Sequence, residues 1–140
     1  MKQTPLTSLA CAFTPVRDLS PLAGLKLTSL DARDSQITEL SGVKGLPLSR
    51  LLISYTSVRD LTPLKGNTTL FFLECYRTGI KDFTPLKETV LRDLVCDFDA
   101  KRDLTIISEI KSLQRLNGTA VAQLKDIQLP TVASATRPAK

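Results

Sequence analysis

The sequence predicts an α/β solenoid, with a parallel β-sheet on the concave side, short 3₁₀ or helical turns on the convex side and a helical cap at the C-terminal end. Three observations carry this. The stretch "TSVRDLTPLKG" (56–66) has close copies at 14–24 and 78–88 and a diverged one, "SQITELSGVKG", at 35–45. Within each unit the apolar spacing switches from two residues to three. After the fifth unit it becomes that of an amphipathic helix. A supersecondary unit recurring at this period cannot bury its apolar face alone and does so by stacking on its neighbours.

Aligned on their first leucine, the units start at Leu6, Leu27, Leu48, Leu70 and Leu91, spaced by 21 or 22 residues. The one longer spacing places its extra residue in Asn67–Thr69, a loop-like place. The first part of each unit has period two: Leu9 and Cys11 point one way, and Ser8, Ala10 and Ala12 the other, as in a strand with one buried face. Parallel strands are therefore expected at 6–13, 27–34, 48–55, 70–77 and 91–96, with Leu9, Leu30, Leu51, Leu73 and Leu94 in one buried row. In the second part Val16, Leu19 and Leu22 are three apart, which suits a 3₁₀ turn. Ser20, Ser41, Thr62 and Thr84 share a column and are followed by proline, or by Gly42. A hydroxyl before proline predicts a capped turn, the hydroxyl accepting a free N–H where proline needs none.

The consensus L-x-x-L-x-(C/A/I)-x-x-(S/T)-x-(V/I) resembles the leucine-rich repeat, and the "DLSPL" back half resembles its internalin-like class with short convex turns. Two departures stand out. The usual asparagine column holds Thr14, Ser35, Thr56 and Thr78, so the resemblance implies a thinner hydrogen-bond ladder from hydroxyls. The usual third leucine is Cys11, Ala32, Ile53, Cys75 and Cys96. More narrowly, the hydroxyl column, the "VRDLSPL" wording and the ending "CDFDAKRDLTIISEIKSLQRLNG" resemble repeat regions of planctomycete bacteria that are often attached to serine/threonine protein kinase domains. That resemblance spans roughly residues 5–128 and implies an alternative function: the detached sensor or regulatory region of a kinase whose catalytic domain is not in this chain.

The organisation follows: repeats over 1–96, a C-terminal helical cap over 97–128 and a disordered Ala/Thr/Pro-rich tail over 129–140. In the cap, Leu104, Ile107, Ile110 and Leu113 fall on one helical face, Asn117-Gly118 is expected to stop the helix, and "TAVAQLKDIQ" reads as a second short helix. No cap pattern precedes the first coil, so its edge is expected either to pair with something or to follow upstream sequence. "MKQTPLTSLAC" loosely resembles a lipoprotein signal, but its apolar part is too short; a cytoplasmic location is therefore favoured. No apolar run approaches a membrane span.

Composition narrows the function. With 42% hydrophobic and 24% charged residues the chain is globular, and with no Trp its leucines carry the core. A net charge of +5 is mild and dispersed, so nucleic-acid binding is only a third reading. There is no His, the commonest general base and metal ligand, and no glycine-rich phosphate loop. Asp97-Phe98-Asp99 and Lys101-Arg102-Asp103 resemble kinase "DFG" and "HRD", but stand in reversed order a single residue apart. They read as a capping turn and a helix start. Cys11, Cys75 and Cys96 share one inward column and read as small hydrophobes rather than metal ligands. Neither enzyme activity nor a cofactor or metal is expected.

On the convex side an acidic stripe (Asp18, Glu39, Asp60, Asp82) lies beside a basic one (Arg17, Arg59, Lys81), a charge-balanced and solvated surface. The concave side changes from coil to coil. Its candidate partner-binding residues are Asp31, Arg33, Arg50, Tyr55, Phe72, Glu74, Tyr76 and Arg77, rich in the aromatic and arginine types that anchor interfaces. The expected function is a non-catalytic module that engages a protein or peptide on that face.

Overall fold

The computed structural model describes residues 5–123. Seven strands form one sheet in chain order: β1 (Ser8–Ala10), β2 (Ser29–Asp31), β3 (Arg50–Leu52), β4 (Phe72–Cys75), β5 (Asp93–Cys96), β6 (Arg115–Leu116) and β7 (Thr119–Ala120). The first six are parallel, in the register that the leucine alignment demands: Leu9 against Leu30, Leu51, Leu73, Leu94 and Leu116. Each strand is shorter than its expected segment. The fold is a leucine-rich-repeat solenoid.

The core is a leucine column that runs the length of the stack. Leu30, Leu51 and Leu73 are fully buried and Leu94 almost so, and Leu27, Leu48, Leu70 and Leu91 close the same interior from the strand entrance. Leu9 departs from the expected row. It is only half-buried, and Leu6 is 48% exposed, because no described coil covers the outer side of β1. Cys11 is half-buried for the same reason, whereas Cys75 and Cys96, paired in register, are buried.

Four 3₁₀ turns, Ser20–Leu22, Ser41–Val43, Thr62–Leu64 and Thr84–Leu86, return the chain along the convex side. Their capping differs from the expectation. The Ser/Thr column is itself the first residue of each turn, and its hydroxyls cap nothing. The acid two residues earlier does the work: Asp18, Asp60 and Asp82 accept the backbone N–H of Ser20, Thr62 and Thr84 at 2.8, 2.8 and 2.9 Å. Three of the four acids in the stripe thus hold the first N–H of a turn. Glu39, one methylene longer, accepts only the Ser41 hydroxyl, at 2.8 and 2.6 Å. Its turn has Gly42 where the others have proline. A Cβ there would sit 2.2 Å from the Leu19 carbonyl oxygen, so the close approach of the first two turns requires glycine.

The hydroxyl ladder is also placed differently. Thr14, Ser35, Thr56 and Thr78 each donate to the carbonyl three residues back in their own coil, at 2.6–2.8 Å. The hydroxyls that cross between coils lie near the strand entrance: Thr28 to Thr7 O (3.1 Å), Ser49 to Thr28 O (3.0 Å), Thr69 to Leu48 O (2.8 Å) and Ser112 to Leu91 O (2.6 Å). The extra residue of the long coil is held by Asn67, whose Oδ1 accepts the N–H groups of Thr69 and Leu70, both at 2.7 Å.

The C-terminal end departs furthest from expectation. Helix α1 spans Ala100–Ser108 and stops there rather than at Asn117-Gly118. It replaces the 3₁₀ turn of the fifth coil. Leu113 and Leu116 then repeat the leucine spacing, and β6 adds a sixth parallel rung. Asn117-Gly118 is the tight turn of the β6–β7 hairpin, with φ of 51° and 83°. Both positive angles suit a type I′ turn, for which Asn-Gly is the preferred pair. Asp99 caps α1 by accepting from the Lys101 and Arg102 N–H groups, and the buried Asp103 carboxylate accepts the Asp99 N–H at 2.9 Å. Both kinase-like tripeptides are therefore employed in holding a helix start. Of the second short helix expected over 119–128, Thr119–Ala120 form β7 and residues 121–123 are helical, while 124–128 and the tail over 129–140 lie outside the described residues. Among the described residues no helix is long and apolar enough to cross a membrane, and no His/Cys/Asp/Glu cluster could hold a metal.

Candidate partner-binding face

The side chains of the concave face are set by two local rules. Along each strand the first, third and fifth of five successive residues project outward, which puts Arg50, Leu52 and Ser54 of the third coil beside Phe72, Glu74 and Tyr76 of the fourth. After each of the first four strands the chain then turns back. Phe13, Asp34, Tyr55 and Arg77 occupy one column of four successive coils, and all have φ between 52° and 62°. Left-handed backbone is uncommon for residues other than glycine, and aromatic residues gain nothing from it. The stack holds it in place: the amides of Phe13, Asp34 and Tyr55 donate to Arg33 O, Ser54 O and Tyr76 O of the next coil at 2.8–2.9 Å. In the fourth coil the acceptor is the Asp97 side chain, at 2.7 Å from the Arg77 N–H. This bend throws the column's side chains outward, leaving Phe13 76% and Tyr55 55% exposed.

The eight candidate residues fall into three contacting groups. Arg33 donates to both oxygens of Asp31, at 2.9 and 2.7 Å. Its other terminal nitrogen reaches Glu74 at 3.7 Å, two coils away. Leu52 and Ser54, on the coil between, are both buried. Hydrogen bonding to Arg33 lowers the Asp31 carboxyl below its ordinary value. Glu74 Oε1 is shielded from solvent and accepts no hydrogen bond, so the ion pair alone holds it.

Nearer the strand entrance the Arg50 guanidinium lies 5.0 Å from the centre of the Phe72 ring. At the strand exit Tyr55 and Tyr76 meet edge to face, with centroids 5.9 Å apart and planes at 79°. Arg77 lies 5.6 Å from the Tyr76 ring centre. Tyr55 and Arg77 thus both lean on Tyr76. These geometries are those of an aromatic pair and two cation–π contacts, with the cations over ring faces. The whole set occupies the second to fourth coils.

Sequence reasoning missed the neighbouring depression of about 480 Å³ lined by Tyr76, Val95, Cys96 and Asn117. Asn117 enters the face because it continues the column of Glu74 and Val95, and its side chain accepts the Cys96 N–H at 2.8 Å. The leucine pair Leu113 and Leu116 was the signal that could have placed it. The last rung also carries Arg115, bound to Asp93 through both oxygens. Burial pushes the Cys96 thiol up to about 12 and the Cys75 thiol well above its ordinary value.

No protein-family model matches the chain, and no curated protein matches it either. Among solved structures it is similar to internalin C2 from Listeria monocytogenes, with 29% identity and a TM-score of 0.68, over 79% of this chain and 50% of that one. It also resembles internalin InlF of the same organism, at 23% identity and a TM-score of 0.51, over 74% of this chain and 38% of the other; that likeness concerns the fold alone. The chain spans half or less of the length of these two structures. The neighbours support a leucine-rich-repeat protein. Attachment to a kinase domain is an implication of the sequence resemblance only.

Proposed function

We propose that this solenoid is a non-catalytic interaction module that binds a protein or peptide on its concave face, using Asp31, Arg33, Arg50, Tyr55, Phe72, Glu74, Tyr76 and Arg77. The observation that carries this reading is the pair of guanidinium–aromatic contacts on the rings of the fourth coil, Arg50 over Phe72 and Arg77 over Tyr76. Stacking removes much of the conformational freedom these side chains would otherwise lose on binding, which makes them good anchors. Truncation of such an anchor commonly costs about 2 kcal/mol or more. The convex turns offer no comparable group, since their acids are engaged as caps and their sequence repeats.

The test is capture of a partner from the source cell followed by quantitative binding of purified variants. Phe72→Ala and Tyr76→Ala are each expected to weaken binding at least about tenfold with unchanged thermal melts. Arg17→Ala and Lys81→Ala on the convex side are expected to leave affinity within about twofold. The reverse pattern would place the binding surface on the turns.

A further inference from the structure

We infer that the edge of the stack where the chain enters the sheet holds a second site, between the second and third coils, and that its ligand is the phosphate group of a small soluble phosphate monoester. Lys44 and Lys65 are its charged residues. The site lies off the concave face and does not depend on the reading of that face.

The exits of the 3₁₀ turns place the two lysines. Lys44 and Lys65 follow the second and third turns with nearly the same backbone angles, φ −60° and ψ 129° against φ −59° and ψ 133°. Gly45 and Gly66 come next, at φ 79° and 75°. Equal angles send the two side chains off the backbone in the same direction, one coil apart, which is about 4.8 Å at the sheet. The neighbouring coils do not repeat this. The first has Ala23 in the column. The fourth has Lys87 at ψ −33°, bound to Glu109 at 2.7 Å.

Between the two lysines lies a depression of about 360 Å³ whose walls include Lys44, Pro47, Pro63, Lys65 and Thr68, and no carboxylate. Both lysines are exposed, and neither has a carboxylate within ion-pair distance among the described residues. Glu88 lines a smaller depression of about 140 Å³ on the other side of Lys65, together with Lys87. The chain's one longer coil supplies the polar groups. Asn67 is committed to the N–H groups of Thr69 and Leu70, and the Thr69 hydroxyl to Leu48 O. The exposed Thr68 hydroxyl has no hydrogen-bond partner among the described residues.

Two ammonium groups side by side repel, and an anion between them removes that repulsion. A carboxylate brings one charge. A phosphate monoester brings nearly two and three acceptor oxygens, enough for both lysines and the Thr68 hydroxyl. Lysine suits this as a point-charge phosphate binder. Small-molecule sites span about 300–1,000 Å³, so this one has room for the phosphate and a short organic group against the two prolines.

The test is an NMR amide-shift titration at low salt with glycerol phosphate, and with glycerol and acetate as controls. Shifts are expected at Gly45, Gly66 and Thr68 with glycerol phosphate alone. Lys44→Gln and Lys65→Gln, checked for unchanged melts, are each expected to weaken binding at least about fivefold. Lys26→Gln and Lys87→Gln change the net charge equally and are expected to leave it within about twofold. Shifts spread over every lysine-bearing coil, an equal response to acetate, an equal loss from Lys87→Gln, or no shift up to about 10 mM ligand overturns the assignment. Phosphatidic acid vesicles carry the same group. Sedimentation with them that needs Lys44 and Lys65, with no response to glycerol phosphate, would place a membrane surface there and overturn the soluble ligand.

Discussion

The two outer surfaces of one coil follow opposite rules. On the convex side, Asp18, Asp60 and Asp82 hold three turns by the same N–H bond at nearly the same distance. On the concave side, residues in register have nothing in common: Ser29, Arg50, Phe72 and Asp93 form one row, and Asp31, Leu52, Glu74 and Val95 the next. The convex residues close the coil, so each copy needs the same chemistry. The concave residues are not needed for closure, because the sheet's backbone bonds and the leucine column beneath already bind coil to coil. What varies there is free to serve recognition, and where the face does build contacts they are side chain to side chain.

Substitutions can break or sharpen that contrast. The largest effect is expected in the shared interior. Leu51→Ala removes a fully buried side chain between two neighbouring leucines and is expected to cost about 2–5 kcal/mol in chemical denaturation. An unchanged midpoint would mean that the column is not the common support of both surfaces. A single convex cap matters less: Asp60→Ala is expected to cost under about 1 kcal/mol. The caps also carry a pH dependence. Hydrogen bonds, from the Ser20 amide first at Asp18 and the Thr62 hydroxyl first at Asp60, lower these carboxyls below their ordinary values. A depressed carboxyl stabilises the fold above its unfolded pKa near 4, and that contribution is lost as pH falls through the lower folded value. The melting temperature is thus expected to fall below about pH 4, and less steeply in an Asp18→Asn/Asp60→Asn variant.

The smallest effect separates the ends of the interior column. Cys11, in the first described coil, is half-buried, whereas Cys75 and Cys96 are buried. With its thiol pushed up to about 12, chiefly by burial, Cys96 is almost entirely protonated at pH 8. A thiol reagent is expected to modify Cys11 first and Cys75 and Cys96 only on denaturation. Rapid native modification of Cys75 would mean that β4 faces the other way.

The repeat made the sheet and its register legible because leucine spacing fixes both the strand face and the coil length. Capping was less legible. Asp60 and Thr62 are both residues that start turns, and only the backbone angles decide which is the cap and which the first turn residue. The run Leu104, Ile107, Ile110, Leu113 fits one long helix as well as it fits a short helix followed by a leucine-repeat strand, so residue order alone does not separate the sixth rung from a longer helix. The Asn117-Gly118 pair serves equally as a helix stop and as a hairpin turn. On the candidate face the columns were readable, but the contacts were not. Nothing in the order of residues says that Tyr55 and Arg77 both lean on Tyr76, or that Arg33 spans a coil to reach Glu74. The first depends on the left-handed bend that follows each of the first four strands, for which Phe13, Tyr55 and Arg77 give no local cue.

Hydroxyl-radical footprinting of the complex with the captured partner tests the concave-face claim most directly, because both surfaces carry exposed reporters: Tyr55 and Tyr76 on one, Pro21 and Leu25 on the other. Protection of Tyr55 and Tyr76 with Pro21 and Leu25 unchanged is the predicted result. Protection of Pro21 and Leu25 with the two tyrosines still fully reactive would contradict it.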